Sequence, residues 1–213
     1  MPKAIPTFNL PEEADEVPDI FAHADRSLFG VYYQQSHASL FLIEKILNKF
    51  RPERIVELGT GKGVLSIYFA VYTMINKLAI LYTTDIRHVK RQGVLEKIGN
   101  VRIEKKNIRS LATLNYYAEI LNQKKNSLLF VDAGEPKSRD VNRFVAMLNP
   151  GTIVLAHDFN TLVNDPMAWG FKEKDVNCWE KLERLQPYWD LSIKYNARLF
   201  CSRVLKPKEN HNA

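Results

Sequence analysis

Ile55-Val56-Glu57-Leu58-Gly59-Thr60-Gly61-Lys62-Gly63-Val64-Leu65 decides the reading of this chain. An apolar run with β-branched residues leads into an acid, then into three glycines at alternate positions, then into a segment with helical spacing. Glycines there let the backbone turn sharply and approach a ligand closely, and the helix that follows offers unpaired N–H groups and the positive end of its dipole. Strand, glycine turn and helix in this order point to a nucleotide-like cofactor.

Three cofactor classes use such turns, and the flanking residues separate them. A phosphate-cradling P-loop needs Gly-Lys followed by Ser or Thr, with a further glycine five positions before that Gly. Here Gly61-Lys62 is followed by Gly63, and the earlier position is Val56, so that reading fails. A dinucleotide site needs G-x-G-x-x-G, whereas this chain has glycine at 59, 61 and 63 and valine at 64. Glu57 would also repel a pyrophosphate at close range. It suits a cationic ligand, and S-adenosylmethionine carries both a sulfonium and an ammonium, the latter able to donate to Glu57 directly or through water.

Outward from the turn, apolar runs alternate with helical patterns. Ile43, Ile46, Leu47 and Phe50 share one face of a helix from Ala38 that stops at Arg51-Pro52. Strands are expected at 78–84, 101–104, 128–131 and 152–156, with helices near 88–98, 111–121 and 139–148 between them. This alternation implies a mostly parallel sheet covered on both faces. Residues 159–175 lose the rhythm. A helix near 178–185 is expected next, then strands at Leu191–Tyr195 and Arg198–Val204 joined by Asn196-Ala197, which reads as an antiparallel hairpin. Domain organisation follows: an arm over 1–30, irregular or with a short helix, one domain over 31–205, and a flexible tail over 206–213.

The 213 residues suffice for one domain with a sizeable core. Hydrophobic residues at 46% and charged residues at 25% exclude a disordered or fibrous chain. No apolar stretch reaches the ~20 residues of a membrane-spanning helix. The start, Met1-Pro2-Lys3-Ala4-Ile5-Pro6, lacks the apolar segment of a signal peptide, so cytoplasmic residence is expected. Cys178 and Cys201 lack metal or redox spacing and read as reduced thiols. The net charge of +6 is spread over small groups such as Lys105-Lys106 and Lys124-Lys125, which argues against a dedicated nucleic-acid surface.

Glu57-Leu58-Gly59-Thr60-Gly61-Lys62-Gly63 resembles the glycine-rich first motif of class I S-adenosylmethionine-dependent methyltransferases. The resemblance implies a Rossmann-like α/β fold, a seven-stranded mostly parallel sheet with helices on both faces and a C-terminal antiparallel hairpin. It implies S-adenosylmethionine as cofactor, held by Glu57, Gly59, Thr60, Gly61, Gly63, Asp85, Asn107 and Asp132. Asp85, at the end of the second strand, would take the ribose hydroxyls, or else cap a helix. Asn107 stands where relatives often carry an acid that contacts the adenine amine, and its carbonyl oxygen can accept that bond; a solvated loop residue is the alternative.

Phe130-Val131-Asp132-Ala133-Gly134 and Asn149-Pro150-Gly151-Thr152-Ile153-Val154-Leu155-Ala156-His157-Asp158 are similar to the branch holding cephalosporin-hydroxylase-like proteins and sugar or macrolide O-methyltransferases. Ala133 and Pro136 depart from the Asp-Gly that several of those carry. Asp132, His157 and Asp158 are therefore the catalytic candidates, with His157 or Asp158 as base on an acceptor hydroxyl. Some relatives hold Mg²⁺ with acids at similar positions, which makes Asp132 and Asp158, completed by His157 or Asn160, the metal candidates, although Mg²⁺ prefers oxygen donors. Lys137 offers a cation to an anionic substrate, or simply starts a helix. Tyr32, Tyr33, Gln34, Gln35 and His37, with residues 159–169, would form the acceptor side, and Trp179 would pack on the core. The expected activity is methyl transfer to a hydroxyl, or less readily an amine, of a small molecule. The alternatives are a catalytically silent binding protein and an RNA methyltransferase; a homo-oligomer stays open.

Overall fold

A computed structural model describes residues 27–28, 31–32, 37–87, 92–133, 143–157, 185–190 and 199–204. Short strands β1 (Ser27–Leu28) and β2 (Val31–Tyr32) pair antiparallel across the expected boundary at residue 30. Then follow α1 (His37–Phe50), β3 (Arg54–Leu58), α2 (Val64–Ile75), β4 (Ile80–Asp85), α3 (Gln92–Ile98), β5 (Val101–Lys105), α4 (Leu111–Asn122) and β6 (Ser127–Val131). Helical residues 143–147 precede β7 (Ile153–His157), and β8 (Leu185–Asp190) and β9 (Leu199–Val204) complete the order.

The seven main strands form one sheet in the order β5-β4-β3-β6-β7-β9-β8. The five from β5 to β7 run parallel, and β9 lies antiparallel to both β7 and β8. Every residue of β6 and β7 is buried, as expected of continuous apolar runs covered on both faces. β5, at the edge, keeps partly and fully exposed residues. The two-residue period of β3 divides its side chains between two cores. Ile55 joins Leu81, Leu128, Phe130 and Leu155 beneath α1 and α2, whereas Val56 and Leu58 join Leu129, Val131 and Val154 beneath α4. Glu57 therefore points toward the face that Ile55 shares with the two helices, an apolar side for a carboxyl group.

Local chemistry ends the elements where chain direction must change. At the foot of α1, Arg51 takes φ 46° ahead of Pro52 and donates its N–H to the Leu47 carbonyl at 2.9 Å. The left-handed residue terminates the helix, and proline cannot continue it. Cys201 is a free, fully buried thiol, and burial pushes its pKa up, which fits the expected inert reduced cysteine.

The C-terminal hairpin is present, but its first strand lies elsewhere than expected. The described partner of β9 is β8, Leu185–Asp190, so that Leu185 opens a strand instead of closing a helix. Pro187 hides this strand in the sequence, because proline removes a ladder donor. At the sheet edge that loss is tolerated, and the pairing slips between Pro187 and Trp189. The expected strand at Leu191–Tyr195 and Trp179 lie outside the described residues.

Phe69 of α2 meets Phe130 of β6 edge to face, with ring centroids 5.7 Å apart and both residues fully buried. Truncating this contact leaves a cavity between helix and sheet. Phe69→Ala is expected to cost about 3–5 kcal/mol in denaturant unfolding.

Candidate functional site

The glycine turn lies at the carboxyl edge of the sheet, where strand order reverses between β4–β3 and β6. Ligands of open α/β sheets bind at such switch points. The last residues of β4 hold the turn. Gly59 and Thr60 donate their N–H groups to the Thr84 carbonyl at 2.9 and 3.2 Å, and Gly61 donates to Asp85 Oδ2 at 2.9 Å. Gly63 donates to the Thr60 carbonyl at 2.8 Å and closes the turn onto α2.

The three glycines do different work. Gly59, at φ 103°, lies so close to the chain leaving β6 that a Cβ would stand 2.6 Å from the Asp132 carbonyl oxygen and 2.8 Å from the Ala133 nitrogen. Gly61, at φ 53°, has nothing among the described residues within 4 Å of where a Cβ would be. That opening is where a ligand can approach the backbone. Gly63 is the N-cap of α2 in the left-handed region, φ 76°, with no side-chain cap, so the first N–H groups of α2 have no capping oxygen from Gly63.

Glu57 is 1% exposed and lies in register with Thr83 of β4. Its Oε2 accepts from Thr83 Oγ1 at 2.6 Å and from Ser66 Oγ, in the first turn of α2. Thr83 Oγ1 also lies 2.6 Å from Thr60 Oγ1. The acid thus sits beneath the turn among three hydroxyls, and direct acceptance from a bound ammonium needs an exposure it does not have. Burial pushes its pKa from 4.5 up to about 7; the Ser66 and Thr83 bonds work against this, and the charges of Asp132 and Asp85 add to it.

Asp85, partly exposed, uses both carboxylate oxygens: Oδ2 accepts from Gly61, and Oδ1 from the Arg87 N–H at 2.9 Å. Each oxygen keeps a lone pair for a further donor. Asn107 is exposed and shapes the entry to α4, its Oδ1 accepting from the Arg109 N–H at 3.0 Å and its carbonyl from Ser110 at 3.0 Å. The side chain is thus employed as a turn former.

Asp132 follows β6, donating its N–H to the Leu58 carbonyl at 2.8 Å, and His157 closes the neighbouring β7. His157 Nδ1 stands 3.6 Å from Asp132 Oδ1, with the two side chains 7% and 12% exposed. Asp158, Asn160, Lys137 and residues 159–169 lie outside the described residues, as do Tyr33, Gln34 and Gln35. Tyr32 and His37 are placed only by backbone, in β2 and at the start of α1. Among the described residues no group of three or more His, Cys, Asp or Glu could hold a metal ion.

Sequence reasoning missed Thr83 and Ser66. Their signal was faint: a hydroxyl in the apolar run Ile80–Asp85, and one serine on the buried face of Val64–Ile75.

No protein-family model and no curated protein matches the sequence. Solved structures do match the fold. The methyltransferase PaMTH1 of Podospora anserina, bound to S-adenosylhomocysteine, is 14% identical, with 81% of this chain and 80% of that one covered at TM-score 0.58. CalS11, a TDP-rhamnose 3'-O-methyltransferase of calicheamicin biosynthesis, is 15% identical over 77% of this chain and 78% of that one at TM-score 0.54. The MycE methyltransferase of mycinamycin biosynthesis, in complex with Mg and S-adenosylhomocysteine, is 11% identical, with 95% of this chain and 57% of that one covered at TM-score 0.57. The chain has the Rossmann-like fold of these methyltransferases.

A carboxyl group with a raised pKa holds its proton more tightly folded than unfolded, so its favourable contribution is complete below pH 4.5 and is lost as pH rises through about 7. Gln at this position does not titrate. Relative to wild type, Glu57→Gln is therefore expected to gain on the order of 2–3 kcal/mol between about pH 5 and about pH 8, read from denaturant unfolding at each pH.

Proposed function

We propose that this chain is an S-adenosylmethionine-dependent methyltransferase that acts on a hydroxyl, less readily an amine, of a small molecule. What carries the reading is the glycine turn, anchored to Asp85 and open beside Gly61, with the Asp132–His157 pair one strand further along. Residues 31–205 would form the domain, 1–30 an arm and 206–213 a tail; cytoplasmic residence fits the sequence.

The residues present suit the cofactor. Gly61 leaves room for close approach, Asp85 keeps acceptor lone pairs beside the turn, and the start of α2, to which Gly63 brings no side-chain cap, offers N–H donors to a carboxylate. Gly59, Thr60, Gly61, Gly63 and Asp85 would hold it, with Asn107 and Asp132 flanking and Glu57 acting from beneath. Bound there, S-adenosylmethionine supplies an already activated methyl group. The protein's share is then to align the acceptor oxygen, exclude water and remove the acceptor proton. With Nδ1 turned to Asp132, a proton on that nitrogen is stabilised by the carboxylate, and Nε2 remains as the base. Structural relatives named as O-methyltransferases, CalS11 among them, favour oxygen as the acceptor atom.

Asp132 with Asp158 is retained as the proposed Mg²⁺ pair. The described neighbour of Asp132 is a histidine nitrogen, a poor match for Mg²⁺, so no proton transfer is assigned to a metal.

Calorimetry with S-adenosylhomocysteine is expected to show binding by wild type and a loss of about tenfold or more in Asp85→Ala. Unchanged affinity in that variant would remove Asp85 from the site, and absent wild-type binding would end the cofactor reading. Labelled methyl transfer to a panel of hydroxyl acceptors, with Mg²⁺ and with chelator, is expected to fall about 10²-fold or more in His157→Gln while cofactor affinity stays within a few-fold. Full turnover in His157→Gln would exclude it as the base.

A further inference from the structure

We infer that Thr83 is a positioning residue of the glycine turn, linking the buried Glu57 carboxylate to the hydroxyl of Thr60 and so holding the turn in its ligand-accepting shape. This rests on the cofactor reading above and concerns residues that never reach the open side of the turn. Thr83 is 0%, Ser66 0%, Glu57 1% and Thr60 4% exposed.

The argument is one of proton counting. A hydroxyl carries a single proton and two lone pairs. Thr83 Oγ1 donates to Glu57 Oε2 at 2.6 Å, which uses its only proton. The 2.6 Å contact between Thr83 Oγ1 and Thr60 Oγ1 must then be donated by Thr60. Ser66 Oγ donates to the same Oε2 and lies 3.4 Å from Thr83 Oγ1, so it closes the cluster from α2. With Glu57 ionised, every hydroxyl proton in the chain runs inward, Thr60 to Thr83 to Glu57. The Thr60 rotamer, and with it the residue between Gly59 and Gly61, is thereby tied to a buried carboxyl group that hydroxyls from β4 and α2 hold in place.

The three consecutive residues 83–85 of β4 then act together on the turn. Thr83 holds the Thr60 side chain, the Thr84 carbonyl holds the Gly59 and Thr60 N–H groups, and Asp85 holds the Gly61 N–H. Only the last has an obvious ligand-side role. Valine at 83 matches threonine in shape and keeps the strand, but it cuts the link from Glu57 to Thr60 and leaves Glu57 with Ser66 alone.

The test is calorimetric affinity for S-adenosylhomocysteine in wild type, Thr83→Val, Thr83→Ser, Thr60→Val and the double valine variant, with thermal unfolding of each. Thr83→Val and Thr60→Val are each expected to bind about tenfold more weakly, and the double variant no more weakly than either, because one chain is cut twice. Thr83→Ser keeps the hydroxyl and is expected to stay within about threefold of wild type. Should Thr83→Val fail to fold, the Thr60→Val measurement and the serine rescue decide. Wild-type affinity in Thr60→Val, additive losses in the double variant, or an equal loss in Thr83→Ser would overturn the inference while leaving the cofactor reading intact. Absence of binding by wild type would overturn both.

Discussion

One carbonyl oxygen organises the carboxyl edge of this sheet. Thr84 accepts from two successive N–H groups, those of Gly59 and Thr60, and so brings the chain leaving β3 across the end of β4. On the other side the same stretch is confined by β6, where the Leu58 carbonyl accepts from Asp132 and Gly59 meets the Asp132 backbone at a distance that excludes any side chain. The turn is thus pinned between two strands before any ligand arrives. Its remaining freedom is at Gly61, on the open side. Binding sites whose backbone is already set lose less entropy when they are occupied, and this turn is built that way.

The acid beneath the turn follows from the strand period. Glu57 is two residues from Ile55 and shares its face, so the β-strand that makes Ile55 a core residue also carries a carboxyl group toward α1 and α2. Hydroxyls from β4 and α2 meet it there. A buried polar group is tolerable only when its partners are supplied, and here two neighbouring elements each give one. The cluster therefore adds specificity to the packing of α2 on the sheet, because a shifted helix would leave the carboxyl group short of Ser66.

Most of the architecture was legible because its signals are strong and local. β3, β6 and β7 are apolar runs bounded by polar residues, and the structure places them within a residue or two of the expected limits. The glycine spacing and Asp85 marked the turn and its anchor. Two things escaped. β8 was displaced because Pro187 argues against a strand unless one knows that the strand is at an edge. The inward turn of Glu57 escaped because its hydroxyl partners stand 9 and 26 residues further along. Asp132 and His157, both among the expected catalytic residues, do come together at the ends of β6 and β7, while Asp158 lies outside the described residues.

β9 occupies a place in the sheet that its place in the chain does not suggest. It is synthesised after β8 yet lies between β8 and β7, and its Val204 closes against Gly151 and Thr152 at the base of β7. On the ribosome, β3 to β7 can assemble as they emerge, but β7 lacks its described partner on one edge until residues 199–204 follow. β8 cannot join the sheet before then, because its partner among the described residues is β9. The β9–β8 side of the sheet therefore joins last, and between the emergence of β7 and that of β9 the nascent chain presents an edge of β7 without its described partner.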